Sequence, residues 1–329
     1  MKMNELIKDF PQQLKDAVQI GNKRNFKSRD LTINNVVISG LGGSGIGGKI
    51  ISQMVSGELT VPVITNNDYH LPNFVDKKTL VIISSYSGNT EETLSAMNIA
   101  LERGCEVACV TSGGKVLEKA KSLGLNFIQI PGGLPPRASF GLNSPQLLYI
   151  LLSYGLISDA FESKLLKIAD QLIAEKDQIE AQAKEIAGQI HNHVPVIYTN
   201  PSYEGVGVRF RQQINENSKM LCWNNVFPEM NHNELVGWAG GDKRYAVVMF
   251  RTEDDYSKTQ LRMNLSKAIF KEYTSNVTEI HAKGDSIIER SYYLIHFGDW
   301  ISYYLAVNKN IDPVEVKVID NLKAELAKN

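Results

Sequence analysis

Several short segments bring together residue types suited to holding and rearranging a small anionic molecule. The stretch Ser84-Ser85-Tyr86-Ser87-Gly88-Asn89-Thr90-Glu91-Glu92-Thr93 follows the apolar run Leu80–Ile83 and precedes a helix-like segment. Hydroxyls and a glycine in a strand-to-helix turn aim side-chain and backbone donors at one point, where the helix dipole favours an anion. No lysine or arginine lies in this loop, so the pattern points to a phosphate ester held mainly by neutral donors. A polar N-cap is the plainer explanation, but one hydroxyl suffices for that. Ser85, Ser87 and Thr90 together favour an anion site.

Gly40-Leu41-Gly42-Gly43-Ser44-Gly45-Ile46-Gly47-Gly48 also follows a strand and opens a helix, and it contains the GxGxxG spacing of dinucleotide sites. That fingerprint wants an acid at the end of the next strand; here Asp68 comes late, after two asparagines. A nicotinamide dehydrogenase also has no use for the second, hydroxyl-rich loop. The other reading is that Gly43 and Ser44 offer donors to a sugar, with glycines allowing close backbone approach. Arg137, in the stiff loop Gly132-Gly133-Leu134-Pro135-Pro136-Arg137, can stabilise negative charge at the carboxyl end of a strand. Glu216, in Asn215-Glu216-Asn217-Ser218-Lys219, is either a solvated helix end or a poised base. His232, between Glu229 and Glu234, suits proton transfer near neutral pH better than metal binding, since no other His or Cys lies nearby. Lys323, on its own, reads as a solvated helix lysine.

These residues need a scaffold. Short β-branched apolar runs at Val36–Gly40, Val61–Thr65, Thr79–Ser85, Glu106–Thr111 and Asn126–Ile130 alternate with helical stretches at 46–57, 90–103 and 115–123. That alternation predicts βαβ units around a parallel sheet. One helix interrupted by Pro11 is expected over 4–20. Residues 144–191 are helical in pattern, and 162–190 reads as a coiled-coil arm or as a long helix pair joining two domains. Strand runs resume at Val194–Thr199, Lys219–Trp223, Tyr245–Phe250 and Val277–His281. The halves resemble diverged copies: 36–50 matches 196–210, an offset of 160. In that frame the hydroxyl loop corresponds to Arg251-Thr252-Glu253-Asp254-Asp255, which is acidic and repels phosphate, so one cradle per chain is expected. The C-terminus predicts a turn at Asp312-Pro313, then an amphipathic helix burying Val316, Ile319, Leu322 and Leu326.

The chain has 329 residues, 43% hydrophobic and 22% charged, with a net charge of -1. This is room for two ordinary domains, and bulk charge gives no reason to expect nucleic-acid or anionic-membrane binding. Cys105, Cys109 and Cys222 have no metal-ligand spacing and read as small buried hydrophobes in a reducing compartment. The amphipathic N-terminus carries acids and no long apolar core, so it reads as neither a secretory signal nor a membrane span. The cytoplasm is the expected location.

The pair GLGGSGIGG and SSYSGNTEET, followed by PPRASFG, resembles a sugar isomerase (SIS) domain. NENSK, PEMNHNELVGW and DPVEVKVIDNLK narrow the resemblance to the bifunctional phosphoglucose/phosphomannose isomerases, from about residue 36 to the end. The resemblance implies an α/β fold of two tandem SIS domains, each a five-stranded parallel sheet flanked by helices, plus a C-terminal helix. The division expected is 1–35 as an N-terminal helical segment, 36–150 as the phosphate-binding SIS domain and 151–192 as a helical connection. The second SIS domain then spans 193–311, and 312–329 is a helix contributing to the active site.

The resemblance also implies a hexose 6-phosphate substrate isomerised through a cis-enediol, with no metal and no cofactor. Gly43, Ser44, Ser85, Ser87 and Thr90 match the substrate-binding positions, and Arg137 the catalytic arginine. Glu216 matches the base that moves the proton between C1 and C2. His232 matches a ring-opening residue that reaches across from the neighbouring subunit of a homodimer, and Lys323 a terminal-helix lysine of the same site. The alternative is a non-enzymatic SIS-type sugar-phosphate sensor.

Overall fold

A computed structural model describes residues 2–27, 31–326 and 328 of the chain. The N-terminal segment forms two helices, α1 (Met3–Lys8) and α2 (Phe10–Asn22), rather than one interrupted helix. Pro11 lies in the first turn of α2, where its missing N–H has no intrahelical partner to lose, so the chain restarts there instead of kinking.

Next come β1 (Asn35–Ser39), α3 (Gly42–Met54), β2 (Val63–Asn66), β3 (Thr79–Ser85), α4 (Glu91–Glu102), β4 (Glu106–Thr111), α5 (Gly114–Leu123) and β5 (Asn126–Gln129). The strands are all parallel, in the order β2-β1-β3-β4-β5. Helices α6 (Phe140–Ser153), α7 (Phe161–Ala174) and α8 (Lys176–Ile190) follow. The 162–190 segment is a helix pair and not a protruding arm: Leu165, Ile168, Leu172, Ile179, Ala183 and Ile190 are all buried.

The second half contains β6 (Val194–Thr199), α9 (Glu204–Ser218), β7 (Trp223–Val226), the short α10 (Glu234–Gly237), β8 (Tyr245–Arg251), α11 (Ser257–Tyr273), β9 (Val277–His281) and the long α12 (Ile287–Asn308). The strand expected from Lys219 begins only at Trp223, because Lys219 is the left-handed cap of α9, with φ 51°. The second sheet has four parallel strands, β7-β6-β8-β9, not five. Between His281 and Ile287 the chain has no room for the helix and strand that α5 and β5 supply in the first half. The two orders otherwise match, and Val36 and Val196 sit in corresponding central strands, as the internal repeat predicts.

Alternation along the strands sorts side chains into three cores. Val36, Ile38, Leu80 and Ile82 from the first sheet, and Ile197, Val248 and Phe250 from the second, face one shared core with Leu147, Ile179, Phe210 and Trp300 of the helices between them. Val37, Val81, Ile83 and Cys109 face α4 and α5. Val196, Val247 and Met249 face Met263 and Phe270 of α11. Both sheets are covered on both faces, which is why their strands read as continuous apolar runs.

The last helix, α13 (Lys317–Leu326), departs from expectation. None of its residues is buried; Val318 is 84% exposed and Leu322 60%. Its apolar stripe is real, but none of the described residues covers it.

Candidate active site

The chain leaves β1 to one side for β2 and returns on the other side for β3. Loops at the carboxyl ends of β1 and β3 therefore diverge and leave a crevice, the usual ligand position in open parallel sheets. The glycine-rich turn and the hydroxyl loop are those two loops. Gly42 is left-handed at φ +54°, and a Cβ on Gly40 would stand 2.6 Å from the Ser84 carbonyl, so glycine lets the turn lie directly on the end of β3. Ser44 joins the loops: its Oγ accepts from the Tyr86 N–H at 3.2 Å and from Asn143 Nδ2 at 3.4 Å. Both bonds use it as an acceptor, which leaves its proton to donate.

In the hydroxyl loop, buried Ser85 donates to Thr90 Oγ1 at 3.2 Å, while exposed Ser87 accepts from the Asn89 N–H at 3.3 Å. Thr90 is the N-cap of α4, yet its side chain makes no capping bond. The hydroxyl is thus not explained by helix closure. In the second half the corresponding crevice is filled by the protein itself. Asn200 and Thr252 donate to Asp255, and the Tyr203 hydroxyl lies 3.2 Å from both oxygens of Asp254.

Arg137 lies in a short 3-10 turn, Pro136–Ser139, that leads into α6, and it is buried. Its Nε donates to Asn217 Oδ1 at 2.7 Å, and Nη2 donates to the Pro313 and Val314 carbonyls at 2.6 and 3.1 Å. Nη1 lies 3.4 Å from Glu216 Oε2. Burial pulls the guanidinium pKa down and Glu216 opposes that shift; the group remains cationic at any ordinary pH. Glu216 stands in the last turn of α9 and is partly open to solvent. Behind it, Arg209 Nη2 reaches both Asp299 oxygens, at 3.1 and 2.8 Å, and the Arg137 carbonyl at 3.2 Å. Burial pushes the Asp299 carboxyl up, against Arg209 and Gln213. Gly43 also meets this group, since a Cβ there would stand 3.4 Å from the Pro136 carbonyl and 3.6 Å from Arg137 Cα.

Residues from both halves thus converge: Gly43 and Ser44, the hydroxyl loop that Ser44 bonds, Arg137 beside Gly43, and Glu216 beside Arg137. His232 does not share these bonds. It is exposed, in a 3-10 turn beyond the edge strand β7. Lys323 is exposed on α13, though the turn before that helix is bonded to Arg137. Asn217, Lys219, Arg209 and Asp299 also belong to this cluster but do not stand out in the sequence. Asn217 and Lys219 stood inside a motif with nothing to single them out, and Arg209 and Asp299 are 90 positions apart. Burial pushes the thiols of Cys109 and Cys222 up to about 12, which suits inert packing groups. Among the described residues no helix is long and apolar enough to cross a membrane.

A bifunctional phosphoglucose/phosphomannose isomerase of Caldicellulosiruptor bescii is 39% identical, over 99% of this chain and 99% of that protein. The chain belongs to that family. The phosphoglucose/phosphomannose isomerase of Aquifex aeolicus is 36% identical, over 92% of this chain and 93% of its own. Residues 179–326, a span that contains Glu216, His232 and Lys323, match the bacterial phospho-glucose isomerase C-terminal SIS domain. Among solved structures, the C-terminal domain of a glucosamine-fructose-6-phosphate aminotransferase from Francisella tularensis superposes with a TM-score of 0.80. It is 14% identical and the match covers 95% of this chain and 98% of that one, so it bears on the shared fold alone. The phosphoglucose/phosphomannose isomerase family is therefore built here as two parallel sheets around one helical layer, with a C-terminal helix.

Proposed function

We propose that this chain is an aldose–ketose isomerase interconverting glucose 6-phosphate and mannose 6-phosphate with fructose 6-phosphate. Family membership is the ground for the substrates. The observation that carries the reaction is the Arg137–Glu216 pair, brought to 3.4 Å from positions 79 apart in sequence, near a hydroxyl-lined crevice. The Glu216 carboxylate takes the proton from C2 of the open-chain aldose, and the C–H electron pair moves to form the enediolate. The O2 hydroxyl proton passes to O1, and the same carboxylate returns its proton at C1 to give the ketose. A cis-enediol holds C1 and C2 side by side, so one base serves both. Arg137 Nη1 stabilises the charge that develops on the enediolate oxygens, the larger electrostatic term in such reactions. Glucose and mannose differ only at C2 and pass through the same enediol. Atoms and electrons balance within the sugar, so the reaction calls for no redox cofactor.

Ser85, Ser87 and Thr90 hold the phosphate in this reading, with Gly43 and Ser44 on its sugar side. His232 and Lys323 open the ring by moving protons at the ring oxygen and anomeric hydroxyl. His232 comes from the second subunit of a homodimer. Its outward position and the uncovered stripe of α13 support that assembly. The enzyme would work in the cytoplasm, consistent with three free thiols. Coupled assays on each sugar 6-phosphate test the proposal. Glu216→Gln is expected to lower turnover by at least ~100-fold, the scale of a lost general base, while keeping sugar-phosphate binding. Undiminished turnover would remove Glu216 as the base, and a wild-type chain that binds both sugars without converting them would be a sensor instead.

A further inference from the structure

Four consecutive backbone carbonyls, from Asp312 to Glu315, are gathered by two cations. Arg137 Nη2 takes those of Pro313 and Val314, at 2.6 and 3.1 Å. Lys219 Nζ takes those of Asp312 and Glu315, at 2.8 and 2.7 Å, and its third bond goes to the carbonyl of Glu216 at 2.8 Å. An ammonium has three N–H donors and no acceptor, so Lys219 is fully spent on carbonyls and has nothing left for substrate or proton transfer. Its backbone adds a second observation. Lys219 caps α9 in the left-handed region, φ 51°, where glycine is the favoured residue because a Cβ is disfavoured. A lysine held there points to a need for its side chain.

We infer that Lys219 is a positioning residue: it staples the 312–315 turn to the end of α9 and so sets where α13 and Lys323 stand relative to Glu216 and Arg137. Among the described residues α13 buries none of its own side chains, so this turn is its mooring to the chain. The inference deepens the isomerase reading and rests on it only for the kinetic half of its test.

The experiment compares Lys219→Met, which keeps the length without donors, and Lys219→Gly, which relieves the left-handed cap and cannot fail through backbone strain. Hydrogen exchange of the 316–326 amides is expected to quicken by roughly tenfold or more in both, as for a segment cut from its contacts. In the isomerase assay, both are expected to lower kcat to about the level of Lys323→Ala, with the Lys219→Gly, Lys323→Ala double variant no lower, the non-additivity of two residues acting through one element. Wild-type exchange in the tail, or losses that add in the double variant, would overturn the inference. A wild-type protein without isomerase activity would sink the proposed function, and the exchange comparison would still decide the role of Lys219.

Discussion

Arg137 has its donors assigned with little slack. Nε is held by Asn217, Nη2 by two carbonyls of the C-terminal turn, and Nη1 alone is left beside Glu216. Asn217 is held in turn, donating to Ser302 Oγ at 2.9 Å. A lysine has no planar fork and cannot serve these directions together. Arg137→Lys is therefore expected to lower kcat by ~100-fold or more, the scale of a lost preorganised donor, and the coupled assay reads it directly. A lysine variant of near-normal kcat would mean that charge alone matters there. Arg137 was legible in the sequence because a stiff proline loop carrying one arginine is unusual. Its holders were not, since Asn217 and the 313–314 carbonyls become its neighbours only after two sheets and their helices have packed.

Among the elements, the strand–turn–helix units of the first half were the most legible, because doubly buried strands leave continuous apolar runs bounded by glycine and polar turns. The second half was harder at two points. The resemblance implied a fifth strand, and only the spacing between His281 and Ile287 excludes it. The stripe of α13 predicted burial, but amphipathicity states only that a helix wants a partner and not that its own chain provides one. The hydroxyl loop permits a test at this scale. Ser85 is buried and bonded to Thr90, whereas Ser87 is exposed and its Oγ accepts one local bond, at 3.3 Å. Ser87→Ala should leave folding stability almost unchanged and raise KM by roughly tenfold, about the worth of one hydrogen bond to a charged group. kcat should stay close to wild type, as for a contact made equally in the ground and transition states. An unchanged KM would take Ser87 out of the phosphate cradle.

Across the whole molecule, one helical layer serves both sheets, and α12 runs through it with seventeen of its twenty-two residues buried. No sequence pattern announced this, because a helix buried nearly all round, with Glu289, Arg290, His296 and Asp299 among its interior residues, has little periodicity to read. It does place a titratable group where water cannot reach. His296 stacks on Phe10 of α2 at 5.4 Å between ring centroids and accepts from Trp300 Nε1 at 3.2 Å. Burial lowers its pKa to about 3, against about 6.5 for an unfolded chain. The native imidazole is therefore neutral between these values, while the unfolded one takes up a proton. More protons on the unfolded side mean that stability falls as pH falls, starting near the unfolded pKa and continuing to the folded one. From pH 7 to pH 5 this single group would remove about 2 kcal/mol. His296→Phe cannot titrate, although it leaves the Trp300 N–H without its acceptor and should be less stable at pH 7. Urea unfolding of both proteins at the two pH values separates these effects, because other ionisable groups are common to both. The wild type is expected to lose about 2 kcal/mol more than the variant over that interval. Equal losses would mean that His296 gains a proton without unfolding the layer around it.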